Sequence, residues 1–381
     1  VAAASGSSSS TAKDAEAFAV GSVIEGIHAE GPIIEDTGGL PESDRTMPLA
    51  DFKALCKQMP SLRIMTIAPA AEARCDYARL RHLADLGVRA SLGHDKQASE
   101  RAVVGALRVL SEAAEAKAGG TADHTPHLTH VFNVMAFHHR QPGLVNFALC
   151  RNLPRHPHYD GIRGIGAPTA EIIGDLIHVH PISVGALLSA RSPSEDVALI
   201  SDCIAAYDPG RRLRYNGRQV MVRAEGGCYL IDPLGRPTTT LAGSTVTLAD
   251  QLRTLIDVFN IDVVAACRML ATTPARIAHV GDRVGSIAVG RKANLLVVTA
   301  ALRRSRAAWC TARGPTTSRT ARTACCAPPC PRRCETCLGE SEAASIPWKR
   351  ARYFMVLPFS DAIRANMWSA PLKFHDGYLK K

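Results

Sequence analysis

A regular alternation of short apolar runs and amphipathic stretches restricts the fold of this chain more than any other feature. Six apolar runs follow one another over about 180 residues, at Val23–His28, Arg63–Ala68, Val88–Leu92, Leu128–Phe132, Glu171–Val179 and Val197–Ser201. Most of the stretches between them carry apolar residues at helical spacing, as in the Ala-rich segment from Ala98 to Ala118. Nearly continuous apolar strands that alternate with helices predict a parallel sheet covered by helices.

The number and spacing of these units narrow the fold class. Six strand–helix units in this span favour an α/β barrel of the (β/α)8 TIM type over an open sheet, although spacing alone leaves both possible. After Asp202 the pattern changes to short β segments, two helices and a last β run, at Gln219–Arg223, Cys228–Ile231, Leu248–Phe259, Asp262–Ala271 and Ala293–Val298. We therefore expect a barrel followed by a smaller β unit.

The net charge of +10 is confined to one end of the chain. Residues 301–381 hold fifteen Lys and Arg against five Asp and Glu, so the first 300 residues are neutral. A neutral body argues against nucleic acid as a partner. No apolar run reaches the ~18–20 residues of a membrane span, and the first 20 residues lack the pattern of a secretory signal. We expect a cytoplasmic protein without a membrane or nucleic-acid partner.

The cysteines support the same compartment. Six of the twelve are scattered through the body without paired spacing, namely Cys56, Cys75, Cys150, Cys203, Cys228 and Cys267. Scattered cysteines of this kind are typical of reduced thiols in an intracellular protein. The other six crowd into 28 residues of the basic end, from Cys310 to Cys337.

Five chemically useful side chains follow the apolar runs: Glu30, His94, His130, His178 and Asp202. In a parallel barrel all strands point the same way, so these side chains converge on the rim where barrel active sites form. A single acidic residue after a strand is commonly a helix N-cap, and a single buried histidine is commonly a core residue. Here five such residues occupy the same position relative to their strands, which favours a functional interpretation over these structural ones.

The types of these side chains point to hydrolysis. One carboxylate and two imidazoles match the ligand set of a catalytic zinc-type site with one position left for water. Metal binding lowers the pKa of that water to ~7. Asp202 can accept the water's proton and pass it to a leaving nitrogen, and His178 can polarise a carbonyl or hold a substrate oxygen.

Short motifs then make a family resemblance visible. They occur in the order HAEGP, TIAP, LGH, THVFNVM, HHRQPG, EIIGDLIHVHP, LISD, LAGS, ATTPARI and GSIAVGRKANLLVV, from about Val23 to Val298. In combination they closely resemble the N-acetylglucosamine-6-phosphate deacetylase family of the metal-dependent amidohydrolase superfamily. The resemblance implies a deformed (β/α)8 barrel, of which strands 3 to 8 are recognisable, and a remnant of a small β-sandwich.

The resemblance also implies roles for the rim residues. Glu30, His94 and His130 become the ligands of one divalent metal ion, with zinc as the first candidate and iron, manganese or cobalt as alternatives. Asp202 becomes the general base and acid that hydrolyses the acetamide of N-acetylglucosamine 6-phosphate to glucosamine 6-phosphate and acetate, a reaction of amino-sugar metabolism. His178 lies in the substrate-binding Asp-x-x-His segment and is also assigned to catalysis.

Further positions match the family's binding site for its phosphorylated amino-sugar substrate. Asn133 and the backbone at Val134 match positions that hold the sugar phosphate, and Arg140 matches a phosphate-binding arginine. An anionic phosphate needs such Arg and N–H donors. The loop that closes over the sugar corresponds to Leu241, Ala242 and Gly243. The HHRxPG arginine of the family often lies near a subunit interface, so we expect a homodimer.

The sequence departs from the family pattern in three places. The family usually carries Gly-x-His soon after EGP, whereas this chain reads IIEDTGGLPESD. The first two barrel strands have no counterpart, and the chain begins at Val1, so we expect an N-terminally incomplete barrel. After the run ending at Val298 the composition changes abruptly and periodicity is lost.

These observations divide the chain into four segments. Residues 1–20 are interpreted as a flexible Ser-rich leader, residues 21–275 as the amidohydrolase barrel and residues 276–300 as the return to the small β-sandwich. Residues 301–381 form an anomalous basic, Cys- and Arg-rich tail that we expect to be disordered or frame-shifted.

Three alternative hypotheses stay open. The chain can be an inactive, truncated relative, or another amidohydrolase that acts on a cyclic amide or amidine. In a third hypothesis the tail is a zinc-dependent nucleic-acid module, with thiolates from Cys330, Cys334 and Cys337 and from Cys325 or Cys326. The spacing is poor for a zinc knuckle and no aromatic residues are interleaved, which disfavours the third.

Overall fold

The computed structural model describes residues 24–116, 125–165, 168–204, 206, 208–297, 309–312 and 356–357. Ten α-helices lie in this part of the chain: α1 Leu49–Lys57, α2 Pro69–Ala73, α3 Ala78–Asp85, α4 Glu100–Ala116, α5 Leu144–Leu149, α6 Pro181–Ala190, α7 Pro193–Asp196, α8 Leu248–Asp257, α9 Val263–Cys267 and α10 Thr273–Ile277. A 3-10 helix spans Pro157–Ile165, and a π-helical turn at Arg268–Thr272 joins α9 to α10. Within the described ranges, no helix is both long and apolar enough to cross a membrane.

A six-stranded parallel sheet forms the centre of the fold. Its strands are β1 Ile27–Glu30, β2 Leu62–Ile67, β3 Arg89–Leu92, β4 His127–Leu128, β5 Thr169–Ile173 and β6 Val197–Ile200. They lie side by side in chain order, and each neighbouring pair is parallel. The parallel sheet predicted from the six apolar runs is therefore confirmed.

The sheet is curled, as in part of an α/β barrel. His28 lies on β1 and Glu171 on β5, four strands away, yet His28 Nδ1 is 3.5 Å from Glu171 Oε1. Four strand spacings in a flat sheet span about 19 Å. The strands must therefore bend round an interior that both side chains enter.

The helices cover the outside of the sheet and bury its apolar residues. On α4 one face is buried, including Val103, Leu107 and Leu110, because these residues recur at helical spacing. The helix α3 ends at a glycine in the left-handed region: Gly87 has φ 70° and its N–H donates to Ala84 O, and Val88 N donates to Leu83 O. These two bonds form a Schellman motif, which turns the chain directly into β3.

The segment around α10 closes the end of the sheet opposite the rim. Ile277 packs in one apolar cluster with Ile64 of β2 and Ala198 of β6. Arg89 Nε donates a hydrogen bond to Ile277 O at 3.0 Å. These contacts tie distant strands together and hold the curl.

Two antiparallel sheets complete the described structure. The strands β7 Arg212–Tyr215, β8 Arg218–Val222, β9 Cys228–Ile231 and β10 Pro237–Gly243 form one sheet in the order β10-β9-β8-β7. The second consists of β11 Ala293–Val297, β12 Trp309–Ala312 and β13 Val356–Leu357, with β11 in the middle. Two short pieces of the expected tail thus pair with β11. The leader and the rest of the tail lie outside the described residues, so their expected disorder stays a prediction.

Candidate metal centre

Three of the predicted rim residues come together at the carboxyl ends of their strands. Glu30 ends β1, and His94 and His130 each lie two residues beyond β3 and β4. Glu30 Oε1 is 2.8 Å from His94 Nε2 and 2.7 Å from His130 Nε2, and the two Nε2 atoms are 3.0 Å apart. In the part of the chain that the structure describes, this is the one group of three His, Cys, Asp or Glu side chains arranged to hold a metal ion.

The donor atoms fit a divalent metal ion. A carbonyl oxygen only accepts hydrogen bonds, so the 2.7 Å contact from His94 Nδ1 to Asp36 O places the proton on Nδ1 and leaves the Nε2 lone pair for a ligand. Ligand atoms at 2.0–2.2 Å from a tetrahedral ion are about 3.4 Å apart. The three distances of 2.7, 2.8 and 3.0 Å need to increase by only about 0.4–0.7 Å to reach that spacing. A site with one carboxylate and two imidazoles is therefore within reach of small side-chain movements.

The three groups strongly influence one another's charge. Burial alone would raise the pKa of Glu30, but His94 and His130 outweigh it and hold that pKa well below its ordinary value. Burial alone would lower the pKa of His94, but Glu30, the Asp36 carbonyl and the Asp202 carboxylate raise it. The pocket thus favours a negative charge on Glu30 and a positive charge beside it, as a cation site does.

The backbone at this rim adopts unusual conformations. His94, Phe132, Val134, Leu176 and Asp202 have φ values of 52°, 80°, 52°, 60° and 45°. Positive φ is uncommon for residues other than glycine, and each such residue costs on the order of 1–3 kcal/mol. Five such residues after four different strands indicate that the surrounding structure holds the rim in a specific shape.

Asp202 lies on the same rim, after β6. Its carbonyl oxygen accepts a hydrogen bond from Ser244 N at 2.8 Å, and Ile204 N donates to Ser244 O at 3.1 Å. This pairing joins the end of β6 to the end of β10. The charge of the Asp202 carboxylate contributes to raising the pKa of His94, and its role at the metal centre stays a prediction.

His178 is held by a partner that sequence reasoning missed. His178 Nδ1 lies 2.6 Å from Asp175 Oδ2, and Asp175 Oδ1 accepts the backbone N–H groups of Ile177 and His178, both at 2.9 Å. Burial raises the pKa of Asp175, but His178 and these N–H donors outweigh it and lower that pKa. The i,i+3 spacing in DLIH was the available signal for this pair. Asp175 fixes the orientation of the imidazole.

The residues predicted to bind the sugar phosphate are only partly brought together. Asn133 lies three residues after the candidate metal ligand His130, whose carbonyl oxygen accepts hydrogen bonds from Asn133 N and Nδ2 at 3.0 and 3.2 Å. Val134, with positive φ, follows in the same loop. Arg140 is exposed, and among the described residues its side chain forms no hydrogen bond or ion pair with Glu30, His94 or His130.

The segment predicted to close over the sugar touches the loop after β1. Leu241, Ala242 and Gly243 form the end of β10. A Cβ added to Gly39 would lie 2.4 Å from Leu241 O and 2.9 Å from Ala242 Cα. A Cβ added to Gly38 would lie 3.0 Å from Val134 Cγ2. The two glycines of the IIEDTGGLPESD segment therefore fit between two predicted substrate-binding segments.

Asn146 is a second residue that sequence reasoning missed. Its Oδ1 accepts from His138 N at 3.2 Å and Gly143 N at 3.0 Å, and its Nδ2 donates to His138 O at 3.1 Å. Asn146 thereby holds the HHRQPG loop, which carries Arg140, against the start of α5. A lone asparagine in a helical pattern gives no sequence signal for such a role.

Fold and site together define a class of protein: an α/β chain whose curled parallel sheet presents a candidate metal centre at the carboxyl ends of its strands. Two solved structures share this fold. One is N-acetylglucosamine-6-phosphate deacetylase from Pasteurella multocida (22% identity, TM-score 0.54, 76% of this chain and 68% of that one). The other is a variant of the Mycobacterium smegmatis deacetylase in complex with N-acetyl-D-glucosamine-6-phosphate (25% identity, TM-score 0.53, 76% and 68%).

No protein-family model matches the chain. Several curated proteins, however, are similar to it in sequence. The N-acetylglucosamine-6-phosphate deacetylase of Bacillus subtilis is 29% identical over 290 residues, which are 74% of this chain and 63% of that protein. That of Danio rerio is 28% identical (73% and 62%), and an N-acetylgalactosamine-6-phosphate deacetylase of Escherichia coli O157:H7 is 27% identical (74% and 66%). The resemblance to N-acetylglucosamine-6-phosphate deacetylase is therefore confirmed. The chain spans less than two thirds of the length of these relatives.

Proposed function

We propose that this protein hydrolyses the acetamide of N-acetylglucosamine 6-phosphate to glucosamine 6-phosphate and acetate. The convergence of Glu30, His94 and His130 on one point, at the rim where Asp202 also follows its strand, carries the proposal. The similarity to deacetylases of amino-sugar phosphates supplies the reaction and the substrate class.

Glu30, His94 and His130 would hold the metal ion. A divalent ion held there supplies Lewis acidity and lowers the pKa of a water molecule to ~7. One carboxylate oxygen and two imidazole nitrogens suit zinc, and iron, manganese or cobalt accept the same donors. We take zinc as the resident ion.

Asp202 would move the proton. As a carboxylate it accepts a proton from the attacking water, and as a carboxylic acid it donates that proton to the departing amine nitrogen, which leaves poorly without it. His178, oriented by Asp175, would polarise the acetamide carbonyl or hold a substrate oxygen. Both residues follow strands of the same curled sheet, so one acetamide can reach them together.

The phosphorylated sugar would lie across the same rim. Asn133, the Val134 backbone and Arg140 would bind the phosphate, because an anion requires N–H and guanidinium donors. The segment of Leu241, Ala242 and Gly243 would cover the sugar, and the backbone at Gly39 would pack against this segment.

The finer architecture and setting follow from the same proposal. We take the six parallel strands as strands 3 to 8 of a (β/α)8 barrel, a correspondence supported by their curl and by their order in the sheet. We also propose a homodimer with Arg140 near the subunit interface, and a cytoplasmic location. The six body cysteines support that location, since they are thiols in the structure.

Acetate release from N-acetylglucosamine 6-phosphate by the zinc-loaded full chain tests the proposal. We expect turnover, and we expect Asp202→Asn to bind zinc normally while losing about 10²–10⁴-fold in kcat. Zinc binding without acetate release would contradict the activity, and neither zinc nor turnover would contradict site and activity together. Activity on a cyclic amide that Arg140→Ala leaves unchanged would instead favour the alternative amidohydrolase.

A further inference from the structure

A second buried carboxylate lies inside the curled sheet, below the metal ligands. Glu171 on β5 is 3% exposed and is surrounded by polar groups of other strands. Its Oε1 is 3.1 Å from His127 Nε2 and 3.5 Å from His28 Nδ1. Its Oε2 accepts a hydrogen bond from Thr129 Oγ1 at 3.0 Å. A buried carboxylate is costly unless such partners hold it, so its presence here calls for a reason.

The partners of Glu171 belong to the two segments that carry metal ligands. On the β4 side, Glu171 Oε2 is 3.4 Å from His130 N, and the Glu171 carbonyl oxygen accepts Val131 N at 2.8 Å. The three consecutive residues from Thr129 to Val131 are therefore all bonded to this one residue, and the middle one is a ligand.

On the other side, Glu171 reaches the strand that carries Glu30. His28 is two residues before Glu30 on β1, so both side chains point into the interior. Besides its contact with Glu171, His28 holds the next strand through Nε2, which is 2.9 Å from Thr66 Oγ1. The Glu171 side chain thus contacts both β1, which carries Glu30, and the segment after β4, which carries His130.

We infer that Glu171 is a positioning residue for the metal centre, which sets the separation of Glu30 and His130 by holding His28 and residues 129–131. The inference rests on the proposed function, because it assumes that Glu30, His94 and His130 bind a metal ion. Glu171 lies outside the ligand set and acts on it only through geometry. When its contacts with His28 and residues 129–131 are removed, the three ligands keep their chemistry but are no longer held at the same separation. Partners that orient metal ligands typically contribute 10–100-fold to metal affinity.

A purely structural role is the competing explanation, and the chain contains a matched control for it. Glu72 is a fully buried carboxylate whose Oε1 accepts from Arg79 Nε at 2.5 Å and whose Oε2 accepts from Leu80 N at 3.1 Å. None of these three residues is a predicted ligand. Glu72→Gln therefore reports the effect of neutralising a buried carboxylate away from the metal centre.

The experiment compares Glu171→Gln, Glu171→Ala, Thr129→Val and Glu72→Gln in the full chain. Zinc affinity is measured by competition with a chromophoric chelator, the cobalt-substituted protein by its visible absorption spectrum, and stability by Tm. We expect Glu171→Ala to weaken zinc binding 10–100-fold and to change the cobalt spectrum. Glu171→Gln and Thr129→Val should weaken it less, since each keeps part of the network, and Glu72→Gln should lower Tm without moving the zinc Kd.

The outcomes separate the inference from the proposed function. Unchanged zinc affinity and cobalt spectrum in folded Glu171→Gln and Thr129→Val, with only Tm reduced, would overturn the positioning role even if the wild-type protein releases acetate. If the Glu171 variants bind zinc more weakly than the wild type, and the wild type itself releases no acetate, the positioning role would be upheld and the proposed reaction contradicted. Wild-type protein that binds no zinc would overturn both.

Discussion

His94 Nε2 lies 2.8 Å from Glu30 Oε1, although 64 positions separate the two residues in the chain. Their strands, β1 and β3, are not neighbours, because β2 lies between them. Two strand spacings in a flat sheet span about 10 Å, so the curl of the sheet and the length of both side chains close the gap. The contact therefore depends on the fold as a whole and reports whether the rim has formed.

Glu30→Gln should remove the charge interaction between residue 30 and His94 while changing the shape of the side chain little. An amide is a poor metal ligand, and it cannot supply the negative charge that the two histidines surround. We expect zinc content and acetate release to fall by more than the 10–100-fold typical of a residue outside the ligand set. Elemental analysis of the purified variant and an acetate assay measure both. Full zinc occupancy in Glu30→Gln would show that Glu30 is not a ligand.

The fold and the ligand triad are the parts most accessible to sequence reasoning, for a physical reason. A parallel sheet buried on both faces requires nearly continuous apolar strands, and such runs are visible in a single sequence. Because all strands point one way, the residue after each run must lie on one rim. The rim positions of Glu30, His94, His130 and Asp202 follow from that regularity alone.

Other features depend on contacts that carry no local pattern. Glu171 lies in an apolar run, and its role depends on partners from β1 and β4. The space that excludes a side chain at Gly39 is set by Leu241, about 200 residues later. Neither relationship has a period or spacing of its own, so only the folded chain reveals it.

Asp175→Asn should impair catalysis without impairing binding. Asparagine can still accept the two backbone N–H groups, but it loses the charge that holds His178 Nδ1. If His178 acts on the acetamide in the transition state, kcat should fall by about tenfold or more while KM changes little. Steady-state kinetics measure this split. As a control, the neighbouring His180→Ala removes only the N-cap of α6 and should cost about 1 kcal/mol of stability with kcat unchanged.

The same variant should change how stability depends on pH. The pKa of Asp175 is lowered in the folded protein because His178 and the N–H donors outweigh burial. The stabilisation from a lowered carboxyl pKa is fully present above the unfolded value and is lost as pH falls through the folded one. The difference in unfolding free energy between wild type and Asp175→Asn should therefore shrink as pH falls below about 4. Urea unfolding at several pH values between about 5 and about 3 measures it, and a gap that widens below about pH 4 would contradict the assignment.

Asn146→Ala should loosen the loop that carries Arg140. Three hydrogen bonds from one side chain hold that loop, and truncation leaves their backbone partners unsatisfied at a cost of about 1–3 kcal/mol. If the loop places Arg140 at the phosphate, KM for N-acetylglucosamine 6-phosphate should rise in Asn146→Ala and in Arg140→Ala. Kinetics with the unphosphorylated sugar provide the control, since its KM should not respond. Equal changes for both sugars would remove Arg140 from the phosphate site.

Gly39→Ala should displace the segment predicted to cover the sugar. A Cβ at this position would lie 2.4 Å from Leu241 O and 2.9 Å from Ala242 Cα, and both are backbone atoms that cannot rotate away. Relief requires the loop after β1 or the end of β10 to shift, at a cost of about 1–3 kcal/mol. We expect a lower Tm and a raised KM, because the shifted segment no longer closes on the substrate.

A matched glycine separates this effect from that of adding a methyl group. A Cβ at Gly185, inside α6, would meet only Phe259 Cε1 at 3.8 Å, an ordinary contact. Gly185→Ala should therefore stabilise the protein by about 0.5–1 kcal/mol, through helix propensity, and leave KM unchanged. Thermal unfolding and steady-state kinetics of both variants give the comparison. If Gly39→Ala behaved like Gly185→Ala, the close approach between the loop after β1 and residues 241–242 would not exist in solution, and sugar closure would have to come from another part of the rim.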